Sequence, residues 1–164
     1  MIRHKILSLF ANIGVAEAYL EELGHDVVVA NELDPKRAAL YQKIYPKTKM
    51  VCGDITDDSI FHHIMDIARE GGVNCIVATP PCQGMSTAGR QKKFDVRNDL
   101  FRYALNAVNE LKPEYVLFEN VTGFLKTHVM YANEPMLITD VVIKEIGDEY
   151  IVNFYSTSNP QLRA

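Results

Sequence analysis

Short apolar, β-branched runs alternate with helix-like stretches along this chain, and that alternation limits the possible folds more than any other property. Residues 5–11, 27–32, 49–52, 74–79, 115–119 and 150–155 read as strands. Residues 15–24, 35–45, 57–69, 98–111 and the amphipathic 136–146 read as helices. Gly24 closes the first of these, Pro35 suits the first turn of the second, and Pro46 stops it. Strands separated by helices are joined by crossovers, so the expected fold is α/β, with a doubly wound, mainly parallel sheet. At 164 residues the chain is expected to form one domain, residues 1–164, around one core.

A hydrophobic fraction of 48% and a charged fraction of 23% fit a soluble globular protein. No apolar run approaches the ~20 residues needed to span a bilayer. The N-terminus runs straight into a strand pattern without a signal peptide. The cysteines Cys52, Cys75 and Cys82 are odd in number and widely spaced, which excludes a disulfide framework. A reducing cytoplasm is the expected compartment. Cys52 and Cys75, within apolar strands, are expected in the core. His62-His63 has no partner at metal-ligand spacing, so no metal is expected.

Chemistry concentrates at the ends of the strands. Pro80-Pro81-Cys82-Gln83-Gly84 follows the fourth strand. Its prolines fix the backbone and present a thiol at the carboxyl edge of the sheet, where open α/β sheets bind ligands. The net charge of −4 argues against a polyanion partner, but Arg90, Lys92, Lys93, Arg97 and Arg102 cluster just after the thiol. They form either a solvated loop or a set of phosphate contacts. Glu119-Asn120-Val121 ends the fifth strand. Neighbouring parallel strands lie about 5 Å apart, so Cys82 and Glu119 could face one small planar substrate together. As an alternative, Glu119 could cap the next segment.

Phe10-Ala11-Asn12-Ile13-Gly14 links the first strand to a helix-like stretch. A glycine-bearing turn there brings backbone N–H groups close to a ligand, although an ordinary strand-to-helix turn has the same residues. Asn12 suits the turn because asparagine tolerates left-handed dihedrals. Glu32, at the end of the second strand, can accept hydrogen bonds from ribose hydroxyls. Asp54, after the third, can accept one from an exocyclic adenine amine. Acids and a tight turn at three successive strand ends outline a site for an adenosine-containing cofactor.

These motifs resemble the cytosine-5 DNA methyltransferase family. Residues 10–14 resemble its first cofactor motif, Pro80-Pro81-Cys82-Gln83-Gly84-Met85-Ser86 its catalytic loop, and Glu119-Asn120-Val121 its second catalytic motif. Asp95-Val96-Arg97-Asn98-Asp99-Leu100-Phe101 is similar to the segment between them. The resemblance runs in order over essentially the whole chain. Asn12 stands where a glycine is usual, and Val15 where a small residue is frequent. Gln161-Leu162-Arg163 resembles the start of a Gln-x-Arg-x-Arg motif whose second arginine is not in the sequence. The family's target recognition domain and final cofactor motif are not in it either.

The resemblance implies the Rossmann-like class I methyltransferase fold and S-adenosylmethionine as methyl donor. It implies a cofactor site at Phe10, Asn12, Gly14, Glu32, Leu33, Asp54, Ile55 and Pro80. Cys82 would add to C6 of cytosine, Glu119 would hydrogen-bond the base, and Arg163 would help to fix the base or the loop. Gln83, Gly84, Ser86 and Arg97 would belong to the loop that closes over the substrate, and Asn120 would hold the backbone of residues 80–82. The implied partner is duplex DNA with a flipped cytosine, together with a second polypeptide carrying the target recognition domain. The expected setting is a prokaryotic restriction–modification system, with weak or no activity from this chain alone. The competing readings are a tRNA cytosine-5 methyltransferase, a non-catalytic subunit that binds cofactor or a partner, and an NAD-dependent Rossmann enzyme. The incomplete glycine fingerprint and the Pro-Pro-Cys loop count against the last.

Overall fold

The computed structural model describes residues 3–81 and 99–155. Five parallel strands form one sheet: β1 (Lys5–Leu9), β2 (Asp26–Glu32), β3 (Lys49–Cys52), β4 (Cys75–Ala78) and β5 (Tyr115–Phe118), in the order β3-β2-β1-β4-β5. Helices α1 (Pro35–Ile44), α2 (Asp58–Gly71) and α3 (Phe101–Leu111) form crossovers. A 3-10 stretch, Thr122–Lys126, then leads into an antiparallel hairpin, β6 (His128–Tyr131) and β7 (Glu134–Leu137), followed by α4 (Ile138–Ile146). This is the expected doubly wound α/β sheet.

Local chemistry sets the helix limits. The Asp34 carboxylate caps α1 by accepting the amides of Lys36 and Arg37, at 2.8 and 3.0 Å. Those bonds hold its carboxyl below the usual carboxylate range, the Arg37 amide contributing most. Asp57 caps α2 through the Ser59 amide at 2.8 Å. Gly72 ends that helix in the left-handed region, at φ 68°.

Alternate strand residues serve opposite faces of the sheet. Leu7, Leu9, Val29, Ile76 and Ala78 face the main core, which α2, α3 and α4 complete with Ile64, Phe101, Leu105, Ile138 and Val142 among others. The opposite face has a much smaller cluster of Ala11, Ala30 and Tyr41, supported by α1. There Tyr115 and Leu117 of β5 remain 54% and 56% exposed.

Three expectations fail. Residues 15–24 form consecutive turns, not a helix: Ala18, Leu20 and Gly24 donate to carbonyls three residues back, and only Leu23 reaches the fourth. Helical order in a protein depends on packing an apolar face, but Val15 and Tyr19 are 75% and 70% exposed and Glu17 is the one buried side chain of the stretch. Residues 151–155 form no strand, because no strand among the described residues takes their hydrogen bonds; Ile151 is exposed, while Tyr150 is tied by its hydroxyl to the Pro113 carbonyl at 2.7 Å. Cys52 is exposed, since β3 is an edge strand and Cys52 its last residue, while Cys75 is half-buried. Among the described residues no helix is long and apolar enough to cross a membrane, and no group of His, Cys, Asp and Glu could hold a metal ion.

Candidate active site at the carboxyl edge of the sheet

From β1 the chain winds outward through β2 and β3, whereas from β4 it winds the other way to β5. The segments leaving the adjacent strands β1 and β4 therefore diverge and leave a crevice between them. A cavity of about 850 Å³ occupies this switch point. Its walls are residues 10–12, 15 and 16, the ends of β2 and β3, residues 79–81 and residues 119–121.

The half beside β1 is a strained loop held from several sides. Phe10, Asn12 and Gly14 all have left-handed dihedrals, at φ 60°, 54° and 84°. For Phe10 that conformation is unfavourable and persists only where neighbours impose it, whereas Asn12 tolerates it. Thr79 Oγ1 donates to the Phe10 carbonyl at 2.9 Å, and Ala11 N donates to the Asn31 carbonyl at 2.9 Å. The Glu32 carboxylate accepts Asn12 N and Asp34 N, both at 2.9 Å. Glu32 is buried, and Arg37 Nη1 stands 3.9 Å from it. Each of its oxygens keeps a further lone pair for a ligand donor. Asn31 Nδ2 donates to the carbonyls of Val51 and Gly53, at 3.0 and 3.1 Å, joining the ends of β2 and β3. Asp54 uses Oδ1 for the Thr56 amide and hydroxyl, so its carboxylate sits at the rim in a fixed orientation.

The other half lies across β4 and β5. Glu119 N donates to the Ala78 carbonyl at 3.0 Å, placing Glu119 beside Thr79 on adjacent parallel strands. Glu119 is exposed and lines the cavity. Asn120 Nδ2 donates to the Pro80 carbonyl at 2.9 Å, while its Oδ1 accepts Val121 N at 2.9 Å. This side chain thereby fixes the backbone immediately before residue 82. Pro80 is buried and Pro81 half-buried.

Of the residues singled out from sequence, Phe10, Asn12, Glu32, Leu33, Asp54, Ile55, Pro80, Glu119 and Asn120 line this one cavity. Gly14 does not; it is buried beneath the loop. Cys82, Gln83, Gly84, Ser86, Arg97 and Arg163 lie outside the described residues. Sequence reasoning missed Asn31, Arg37 and Thr79. An adenosine-containing ligand fits what is present: carboxylates at two strand ends, apolar surface from Phe10, Leu33 and Ile55, and a volume typical of small-molecule sites. A second cleft, of about 570 Å³, lies behind the 15–24 turns away from the strand ends. Two of the carboxylates along it are in ion pairs, Glu21 with Lys47 and Asp26 with Arg3.

The family model for C-5 cytosine-specific DNA methylase matches residues 4–153. The chain belongs to the C-5 cytosine-specific DNA methylase family. It is 44% identical over 153 residues to the type II methyltransferase M1.HgaI of Avibacterium volantium, a match covering 90% of this chain and 43% of that protein. It is 35% identical over 120 residues to the type II methyltransferase M.XorII of Xanthomonas oryzae pv. oryzae, covering 71% of this chain and 28% of the relative. Among solved structures, a putative DNA modification methyltransferase encoded within an E. coli prophage superposes with a TM-score of 0.69 at 24% identity, covering 90% of this chain and 39% of that one. Spodoptera frugiperda DNMT2 gives a TM-score of 0.63 at 23% identity, over 88% and 41% of the two chains. These likenesses establish the methylase fold. The chain spans less than half the length of the relatives it matches.

Proposed function

We propose that this chain carries the cofactor site and catalytic residues of an enzyme that methylates C5 of cytosine in DNA. The observation behind this reading is the single cavity joining the strained 10–14 loop and the Glu32 and Asp54 carboxylates to Pro80, Glu119 and Asn120. S-adenosylmethionine, when bound, supplies an electrophilic methyl group. Phe10, Asn12, Glu32, Leu33, Asp54, Ile55 and Pro80 would hold it, with Gly14 shaping the loop from beneath.

C5 of cytosine is a poor nucleophile. Cys82, as thiolate, forms a bond to C6, and the C5–C6 π electrons then make C5 enamine-like. Glu119 shares a proton with N3 and accepts a hydrogen bond from the exocyclic amine, offsetting the charge that develops on the ring. After methylation, loss of the C5 proton restores the double bond and expels the Cys82 thiolate. Asn120 sets the backbone leading into Cys82 through the Pro80 carbonyl. Gln83, Gly84, Ser86 and Arg97 belong to the loop over a flipped base, and Arg163 assists in fixing it. The type II methyltransferase relatives favour a restriction–modification setting. Sequence recognition then falls to a further segment or subunit, without which turnover is weak.

The test is a library of short duplexes carrying 5-fluorocytosine, with S-adenosylmethionine present and Cys82→Ala as control. Fluorine at C5 cannot leave as a proton, so a competent enzyme stays attached to the DNA. The expected result is a mass-shifted adduct on Cys82, strengthened by a polypeptide supplying target recognition. An adduct with tRNA instead of duplex DNA would replace the substrate class, and no adduct with either would overturn the catalytic reading.

A further inference from the structure

Among the described residues, the Gly14 carbonyl is the clamp point of the strained loop that is held from behind the cavity. Tyr45, just after α1, donates its hydroxyl to that carbonyl at 2.6 Å. Its ring lies tilted against Tyr41, 4.8 Å between centroids. A Cβ on Gly14 would collide with the Tyr45 ring and stand 3.0 Å from Tyr41 Cε2, so the tyrosine pair fills the space left by the missing side chain. The other clamps, from Thr79, Asn31 and Glu32, act on residues 10–12. Gly14 N closes the turn onto the Ala11 carbonyl at 2.9 Å, so rotating the peptide after Gly14 would disturb the turn that presents Asn12 to the cavity.

We propose that the Tyr45 hydroxyl is a positioning group for cofactor binding: by fixing the Gly14 carbonyl it holds the 10–14 loop in the conformation that receives the adenosyl ligand. This rests on the cavity's being the S-adenosylmethionine site. Burial, and the Glu17 carboxyl nearby, raise the Tyr45 pKa, which keeps the phenol a donor across the neutral range. Tyr45 does not line the main cavity, so its effect passes through the loop and not through ligand contact.

Tyr45→Phe keeps the ring and removes only the donor, whereas Tyr45→Leu removes the ring. Calorimetric titration of the full chain with S-adenosylmethionine and S-adenosylhomocysteine, amide hydrogen exchange without ligand and thermal melting decide the matter. For Tyr45→Phe the expected result is about tenfold weaker binding of both ligands, the equivalent of one hydrogen bond. The Gly14 amide should exchange faster, α2 and α3 amides should be unchanged, and Tm should move little. Tyr45→Leu should lower Tm clearly. Unchanged Gly14 exchange in Tyr45→Phe overturns the proposal, as does faster exchange with unaltered affinity. A wild-type chain that binds neither ligand overturns the cavity reading, and the inference with it. The exchange result then still shows whether Tyr45 holds the loop, so the two failures are distinguishable.

Discussion

The two faces of the sheet are built on different principles. On one, α2, α3 and α4 cover Leu7, Leu9, Val29, Ile76 and Ala78 with close-packed apolar side chains. On the other, a small cluster around Tyr41 is supplemented by polar ties: Ser8 to Glu17, Tyr45 to Gly14, and the Gln42 amide, which donates to the Thr48 carbonyl and accepts Met50 N. The strained 10–14 loop is secured from this second face by Tyr45. Apolar packing tolerates many arrangements of similar volume, whereas a hydrogen bond fixes one group in one direction. The thick face therefore supplies stability and the thin face supplies loop geometry.

The largest effect that could break this division is on the thick face. Phe101 is 1% exposed and packs edge-on to Phe124, 6.3 Å between centroids. Phe101→Ala should cost about 3–5 kcal/mol in chemical denaturation. A cost below about 1 kcal/mol would mean that this core carries little of the fold. On the thin face, Gly14→Ala meets both a positive φ and the Tyr45 ring. It should cost roughly 1–3 kcal/mol and weaken S-adenosylmethionine binding more than Phe101→Ala does at matched folded fraction. Equal effects on binding would erase the distinction. Asn120→Ala, which frees the Pro80 carbonyl, should cost about 1–2 kcal/mol. It should also lower kcat for methyl transfer by a larger factor than it weakens S-adenosylmethionine binding, because it frees the backbone leading to residue 82 and leaves the 10–14 loop untouched.

The buried Glu17 carboxyl gives the thin face a pH signature. Burial raises its pKa above the ordinary value of 4.5, and the Ser8 hydrogen bond offsets this only in part. Folded protein then holds a proton that the unfolded chain has released. Stability from this group is therefore lost as pH rises from the ordinary carboxyl range through the raised value, and no penalty remains below that range. Asp26, Asp34 and Asp57, all depressed, act in the opposite sense at lower pH. Glu17→Gln should match wild type at pH 4 and exceed its stability at pH 8 in paired urea titrations. A variant less stable at pH 8 would mean that the ionised carboxylate is what the fold uses.

The parallel strands were legible in the sequence because apolar runs at strand spacing have few other uses in a chain this short. The hairpin of β6 and β7 was not. Its turn places Ala132 and Asn133 at φ 50° and 68°, a mirror-image turn with no glycine to announce it, and Pro135 argues against a strand. Within the cavity, Glu32, Asp54 and Glu119 could be found because each ends a strand. Asn31 and Thr79 could not, nor could Tyr45 behind it, since their roles depend on which carbonyl the finished fold brings opposite them. Cys52 misled for the reverse reason: an apolar run carries no mark of whether its strand will be central or at the edge.

The smallest effect tests the segment on which sequence and structure disagree most. Residues 15–24 are rich in helix formers but form linked turns. In a helix interior, replacing alanine by glycine costs about 1 kcal/mol, because the flexible residue loses more backbone freedom on folding. Ala18 is exposed and its amide reaches only the Val15 carbonyl, at 3.4 Å. Ala18→Gly should therefore cost less than about 0.5 kcal/mol. A full helical penalty would show that this stretch is helical in solution. Val15, Tyr19 and Leu23 would then form one apolar helix stripe, and the thin face would gain the ordered layer that its polar ties now replace.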